Sequence, residues 1–121
     1  EENSKDVKMK KANKIALKRL KNAQKCIKNA NFEDFFEEIE KSLWGYFADK
    51  FKVNLAKLSK DTLSIYFQKH NIEIETKLEF LELLDTCEFE RYAPKNNKNI
   101  QMDNILRKAR DIIIKVETEL K

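Results

Sequence analysis

Few side chains in this sequence could carry out catalysis or hold a metal ion. The only histidine is His70, and the two cysteines, Cys26 and Cys87, lie far apart and outside any CxxC pair. Zinc sites need His and Cys ligands at short, characteristic spacings, which are missing here. We therefore predict no metal and no cofactor. The cysteines are expected to be buried thiols in a reducing compartment, and a disulfide between them stays open.

The acidic residues do not form a convincing acid–base pair. Glu37, Glu38 and Glu40 cluster on a predicted helix beside lysines, where carboxylates commonly form ion pairs three or four residues apart. His70 has no Ser, Cys or Asp placed to form a relay with it. The single glycine, Gly45, falls inside a helix rather than in a phosphate-binding loop. The sequence thus predicts a protein that is not an enzyme.

The most regular feature is a row of lysines near the amino terminus. They recur at steps of three and four, which places them on one face of a helix: Lys8, Lys11, Lys14, Lys18, Lys21, Lys25 and Lys28. Residues 1–30 contain ten Lys or Arg against three Asp or Glu, whereas the remaining residues contain 15 against 18. The first quarter of the chain is therefore a basic module on a mildly acidic body.

The lysine row has three interpretations: a solvated face, a juxtamembrane helix held against anionic cytoplasmic lipid, or a nucleic-acid-binding surface. The row itself consists of lysines, whereas Arg, Asn and Gln are the residues that most often read base edges. We therefore favour a combination of the first two and regard nucleic acid as the weaker alternative.

Composition predicts an all-α fold in one domain spanning residues 1–121. One glycine and one proline are too few for the turns of an all-β protein, and 38% charged residues is typical of amphipathic helices. No apolar run approaches the roughly 18 residues of a membrane helix. Because the chain begins at Glu1 rather than methionine, we expect a fragment of a longer protein with a membrane anchor upstream, and residues 1–30 as its basic juxtamembrane helix.

Apolar periodicity predicts a compact bundle of about five helices that opens with a basic helical hairpin. The first helix, about 5–29, has a face rich in alanine. Asn31 and Ser59 are predicted N-caps, and Asn71 is expected to end the third helix in the left-handed conformation. The fourth helix, about 74–92, is apolar around most of its circumference, which predicts a central and largely buried position. After Pro94 and a polar loop, the last helix covers about 100–120.

Three segments carry a resemblance to a known family. They are ANKIALKRL at 12–20, SLWGYFADKF at 42–51 and CEFERYAP at 87–94. In this order and spacing they resemble the C-terminal cytoplasmic region of the BatD family of the Bacteroides aerotolerance operon, over about residues 10–120. The resemblance implies a signal peptide, periplasmic β-sandwich domains, one membrane helix and then this helical region. It also implies neighbours encoded in the same operon, MoxR-type AAA+ ATPases and von Willebrand A-domain proteins, and an association with oxygen tolerance or envelope stress.

The leading hypothesis is a non-catalytic, cytosolic protein-interaction domain of a membrane-anchored bacterial protein, with partners from the same operon and an oligomeric state left open. The alternative is a basic helical nucleic-acid-binding module. Candidate partner contacts are the aromatic residues Trp44, Tyr46 and Phe47, and Arg91, Tyr92 and Pro94 at the end of the fourth helix. Each of these also has a structural interpretation, since the aromatic residues can pack in the core and Arg91 can pair with Glu88. Gly45 is expected to allow close contact between helices.

Overall fold

The computed structural model describes residues 4–92 and 102–120, with side chains described from residue 11 onward. These residues form five α-helices and one 3-10 turn, and no strand occurs among them, which confirms the predicted all-α bundle. The helices are α1 (Ser4–Lys28), α2 (Phe32–Phe51), α3 (Lys60–Lys69), α4 (Ile74–Tyr92) and α5 (Met102–Glu119), and the 3-10 turn is Leu55–Lys57. Pro94 and the predicted loop after it lie outside the described residues.

Four long helices form an up-and-down bundle, and the short α3 packs on α4. Helices α1 and α4 each pack against both α2 and α5, and α2 also packs against α5. Ion pairs fix the directions: Glu40 in the first half of α2 meets Arg91 at the end of α4, and Lys50 near the end of α2 meets Glu117 near the end of α5. Since α1 and α4 each pack between α2 and α5, they lie at diagonally opposite corners of the bundle.

The core joins a small-residue face of α1 to a large aromatic face of α2. Ala12, Ala16, Leu20 and Ala23 of α1 are all buried, as the alanine periodicity predicts. The large buried residues of α2 are Phe35, Phe36, Ile39, Leu43, Tyr46 and Phe47, none more than 1% exposed. Because alanine side chains are short, α1 can approach these rings closely. Ala30, which the same periodicity places on this face, is instead exposed, because α1 has already ended at Lys28.

The predicted N-caps are both confirmed. The Asn31 side chain accepts a hydrogen bond from the Asp34 N–H at 3.4 Å, and the Ser59 hydroxyl accepts one from the Thr62 N–H at 3.0 Å. Each cap satisfies one of the orphan donors in the first helical turn. These two residues therefore set the starting points of α2 and α3.

Three helices end on a non-glycine residue in the left-handed conformation: Ala30 (φ 54°), Lys52 (φ 58°) and Asn71 (φ 60°). After α1, the Asn31 N–H donates to the Cys26 carbonyl at 2.9 Å and the Ala30 N–H donates to the Ile27 carbonyl at 3.1 Å. This pair of bonds is the Schellman arrangement, which usually places glycine where Ala30 stands. The expected left-handed Asn71 is confirmed, whereas the left-handed Ala30 and Lys52 were not predicted.

The prediction that α4 is a central, largely buried helix is wrong. Thr76, Phe80, Leu83, Leu84 and Cys87 face the core, but Leu78 is 55% exposed and Phe89 is 68% exposed. Since α4 occupies a corner of the bundle, one of its sides faces solvent. Its outward apolar residues are therefore uncovered in this structure, and they form a second apolar side of the helix.

Candidate interaction surfaces

The lysine face of α1 consists of Lys11, Lys14, Lys18, Lys21, Lys25 and Lys28, all of them exposed. Lys8 lies in α1, but its side chain is outside the described set. The row turns away from the buried alanines, as expected for side chains half a helical turn apart. Between residues 11 and 28 the chain has six lysines, one arginine and no acidic residue. This face is therefore continuously cationic.

The three aromatic residues of α2 that were predicted to contact a partner differ in their burial. Tyr46 and Phe47 are completely buried, so they are core residues and cannot contact a partner directly. Trp44 is half-buried, and its ring packs against Phe47 with centroids 6.3 Å apart. Sequence periodicity alone did not distinguish these positions, because all three belong to an aromatic run of α2. Of the three, only Trp44 has surface to offer.

Tyr46 has a polar role inside the core. Its hydroxyl donates a hydrogen bond to the Glu117 carboxylate at 2.5 Å, and the same carboxylate accepts one from Lys50 at 3.2 Å. Burial and then this hydrogen bond raise the pKa of Tyr46 far above its ordinary value. A phenol held neutral and already donating to a carboxylate stabilises the bundle, and we assign it no catalytic part.

Arg91 and Tyr92 lie at the end of α4, and Pro94 is outside the described residues. Arg91 Nη1 donates to Glu40 Oε1 at 2.6 Å, so its ion-pair partner is Glu40 of α2 rather than the expected Glu88. This hydrogen bond raises the pKa of Arg91. Tyr92 is 75% exposed, with the Arg91 guanidinium 5.1 Å from its ring centre. Tyr92 therefore remains available as a surface contact, whereas Arg91 holds two helices together.

One exposed surface was not predicted from the sequence. It is the outward face of α4, which we define as Ile74, Leu78, Asp85, Phe89 and Tyr92. The four apolar members are 69%, 55%, 68% and 75% exposed, respectively. Their spacing places them on one side of the helix, opposite the buried Phe80 and Leu84. The signal was present in the sequence as a helix apolar around its circumference. Such a helix is either buried on all sides or apolar on a second, exposed side.

Clefts adjoin these helices in the described part of the chain. One, of about 340 Å³, lies between α4 and α5, with Leu83, Ile105 and Ile112 in its lining. Charges of both signs surround it, and Lys115 pairs with Glu79 across it at 3.2 Å. The charged side chains in the lining are Glu79, Glu82, Lys108, Asp111 and Lys115.

The second cleft lies where α1 crosses Gly45. A methyl group built on Gly45 would come 1.9 Å from Arg19 Nη1, so the glycine leaves room for a guanidinium from α1. The expected close contact between helices is thus made by an arginine side chain. The cleft of about 420 Å³ beside it also includes Asp49, Lys52 and Leu55 in its lining.

The two cysteines lie in α1 and α4. Cys26 is half-buried, Cys87 is buried, and both are free thiols, so no disulfide joins them. Burial raises the pKa of both thiols, which disfavours the reactive thiolate. Across residues 4–92 and 102–120, no group of three or more His, Cys, Asp or Glu residues could hold a metal ion. In the same ranges, no helix has the length and apolar content that crossing a bilayer requires.

Comparisons with protein-family models, with curated proteins and with solved structures find no match to this chain.

Proposed function

We propose that this chain is a non-catalytic docking domain of a membrane-anchored bacterial protein, positioned at the cytoplasmic face of the inner membrane. The lysine face of α1 lies against anionic phospholipid, and the rest of the bundle holds protein partners. The observation that carries this proposal is the row of exposed lysines between residues 11 and 28, with no acidic residue among them. Each lysine near an anionic bilayer contributes about 1 kcal/mol of attraction.

The resemblance to the BatD family supports the same location. A basic segment directly after a membrane helix is the pattern that the positive-inside rule predicts on the cytoplasmic side. On this basis the partners are products of the same operon, such as a MoxR-type AAA+ ATPase or a von Willebrand A-domain protein. They act in tolerance to oxygen or to envelope stress.

The proposal is tested by co-sedimentation of the intact chain with vesicles of phosphatidylcholine alone and of phosphatidylcholine with phosphatidylglycerol. The test variant replaces Lys14, Lys18, Lys21 and Lys25 with glutamine, which has a similar helix propensity. The matched control replaces four lysines outside α1 with glutamine, namely Lys41, Lys57, Lys69 and Lys108. Both variants lower the formal net charge from +4 to 0, so a difference between them in vesicle binding does not come from net charge.

We expect the wild-type chain to bind only the anionic vesicles, more weakly as salt increases. The α1 variant should lose at least about a hundredfold in affinity, and the control variant much less. Equal losses would mean that net charge rather than the lysine face determines binding, which contradicts the proposal. Binding to duplex DNA without binding to vesicles, with a steep dependence on salt, would instead favour the nucleic-acid alternative.

A further inference from the structure

We propose that the outward face of α4 is the docking site for a basic amphipathic helix of a protein partner. This inference deepens the proposed function, because it assigns the protein-binding role to a particular helix and states the chemistry of its partner. It is carried by two properties of α4 together, the exposed apolar side chains and the surrounding acidic residues.

The apolar component is large for a solvent-facing side of one helix. Ile74, Leu78, Phe89 and Tyr92 are each more than half exposed and lie on the same side of α4. The 19 residues of α4 extend over about 28 Å, so these side chains form two apolar ends separated by Asp85. Aromatic and leucine side chains in such rows are typical anchors for a helix that packs into a shallow apolar surface.

The charged component specifies the partner. Helix α4 contains six acidic residues and two basic ones, and Glu75, Glu79, Glu82, Asp85 and Glu88 are all exposed. Lys60 reaches Asp85 and also Glu88, the latter at 3.1 Å, so one lysine is shared by two carboxylates. The face therefore retains an excess of negative charge around its apolar anchors. A partner with lysines or arginines beside its own apolar residues complements both properties.

Other occupants fit less well. The lysine face of a second copy would supply positive charge, but no large hydrophobic side chain of residues 11–28 is exposed beside those lysines. Anionic lipid would be repelled by the carboxylates of α4. A basic amphipathic helix meets both requirements, and its lysines can also lie over the rings of Phe89 and Tyr92 as cation–π contacts.

The test uses two synthetic peptides of about 18 residues, long enough to span α4. Both have leucines at helical spacing on one side. One has lysines at its remaining positions and the other has glutamates. Binding of each labelled peptide to the intact chain is measured by fluorescence anisotropy at low and at high salt. The test variant is Leu78→Ser/Phe89→Ser, and the control is Leu55→Ser/Ile65→Ser, which removes comparably exposed apolar residues elsewhere, at 74% and 54% exposure.

We expect the lysine peptide to bind the wild-type chain with one-to-one stoichiometry, and the glutamate peptide to bind at least about tenfold more weakly. The Leu78→Ser/Phe89→Ser variant should lose about tenfold or more in affinity for the lysine peptide, and the control should retain the wild-type value. Because the substituted residues are exposed, unchanged circular dichroism and thermal unfolding are expected in both variants.

Three results would overturn the proposal: no binding of the lysine peptide at low salt, equal binding of the two peptides, or equal losses in the two variants. The variant with glutamines in α1 separates this test from that of the membrane surface. It should fail to bind anionic vesicles and still bind the lysine peptide as tightly as the wild-type chain does. If wild-type chain binds the vesicles but not the peptide, the membrane part of the proposed function stands and this inference fails.

Discussion

The hydroxyl of Tyr46 donates a hydrogen bond of 2.5 Å to Glu117, which joins α2 to the last turns of α5. The Tyr46→Phe substitution should lower the free energy of unfolding by about 1–2 kcal/mol, because it removes a bond to a charged acceptor. The loss stays moderate since Lys50 still pairs with Glu117. Urea denaturation followed by circular dichroism measures it. Tyr66→Phe is the control, because the half-buried Tyr66 contributes ring packing, and a change as large there would contradict our assignment.

Stability should fall at alkaline pH. Burial raises the pKa of Tyr46 above its ordinary value of 10.0, and burial raises that of Cys87 above 9.0. Above these ordinary values the unfolded chain releases protons that the folded chain retains, so the free energy of unfolding decreases as pH increases. The stabilisation is complete below about pH 9, and each group contributes a slope of up to about 1.4 kcal/mol per pH unit above its own ordinary value.

Denaturation measured between about pH 8 and about pH 11 tests this dependence. The double variant Tyr46→Phe/Cys87→Ala should be less stable than the wild-type chain at neutral pH but show a shallower decline. A decline as steep as in the wild-type chain would mean that other groups cause the alkaline loss.

Ala30→Gly should raise the free energy of unfolding by about 1 kcal/mol. Ala30 ends α1 with φ at 54°, where the alanine Cβ is strained and glycine is not. The control is Ala23→Gly, inside α1 and fully buried, which should lower stability by about 1 kcal/mol or more. Thermal and urea denaturation of both variants should therefore shift in opposite directions. A loss of stability in both would show that the left-handed end of α1 carries no strain.

Removing either of two buried hydroxyls, those of Ser42 and Thr76, should have different effects on the free energy of unfolding. Ser42 is 0% exposed, and its hydroxyl has no hydrogen-bond partner among the described atoms, so Ser42→Ala should be neutral or stabilising by up to about 1 kcal/mol. Thr76 is equally buried but donates to Glu119 at 2.5 Å, so Thr76→Val should cost about 1–2 kcal/mol. Urea denaturation compares the two. A destabilising Ser42→Ala would indicate that this hydroxyl has a partner.

Gly45→Ala should be close to neutral in the wild-type chain and stabilising by about 1 kcal/mol in an Arg19→Ala background. Alanine is the better helix former, but its Cβ would displace the Arg19 guanidinium, which lies 1.9 Å from that position. A double-mutant cycle measures the coupling between these two residues. Equal stabilisation in both backgrounds would show that Arg19 does not determine the choice of glycine.

Much of the fold could be predicted from local patterns. The bounds of α4, the N-caps Asn31 and Ser59, and the buried alanines of α1 all follow from signals within a few residues. Such signals locate these features well, because they depend on neighbouring residues alone. The left-handed residues Ala30 and Lys52, which follow α1 and α2, were not predicted.

The candidate site could be predicted only in part. The lysines between residues 11 and 28 were placed correctly on an exposed face, whereas Tyr46 and Phe47 proved to be core residues. The outward face of α4 and the pairing of Arg91 with Glu40 depend on which helices become neighbours. That arrangement is a property of the whole bundle, and apolar periodicity within one helix does not contain it.

The diagonal placement of α1 and α4 gives the molecule an electric dipole across its width, positive at the corner occupied by α1 and negative at the corner occupied by α4. Near a planar, negatively charged surface, a molecule with this dipole experiences a torque as well as an attraction. It therefore turns its cationic edge toward the surface before contact. The edge occupied by α4 then points away from that surface, where a second macromolecule can reach it without competing for the same space.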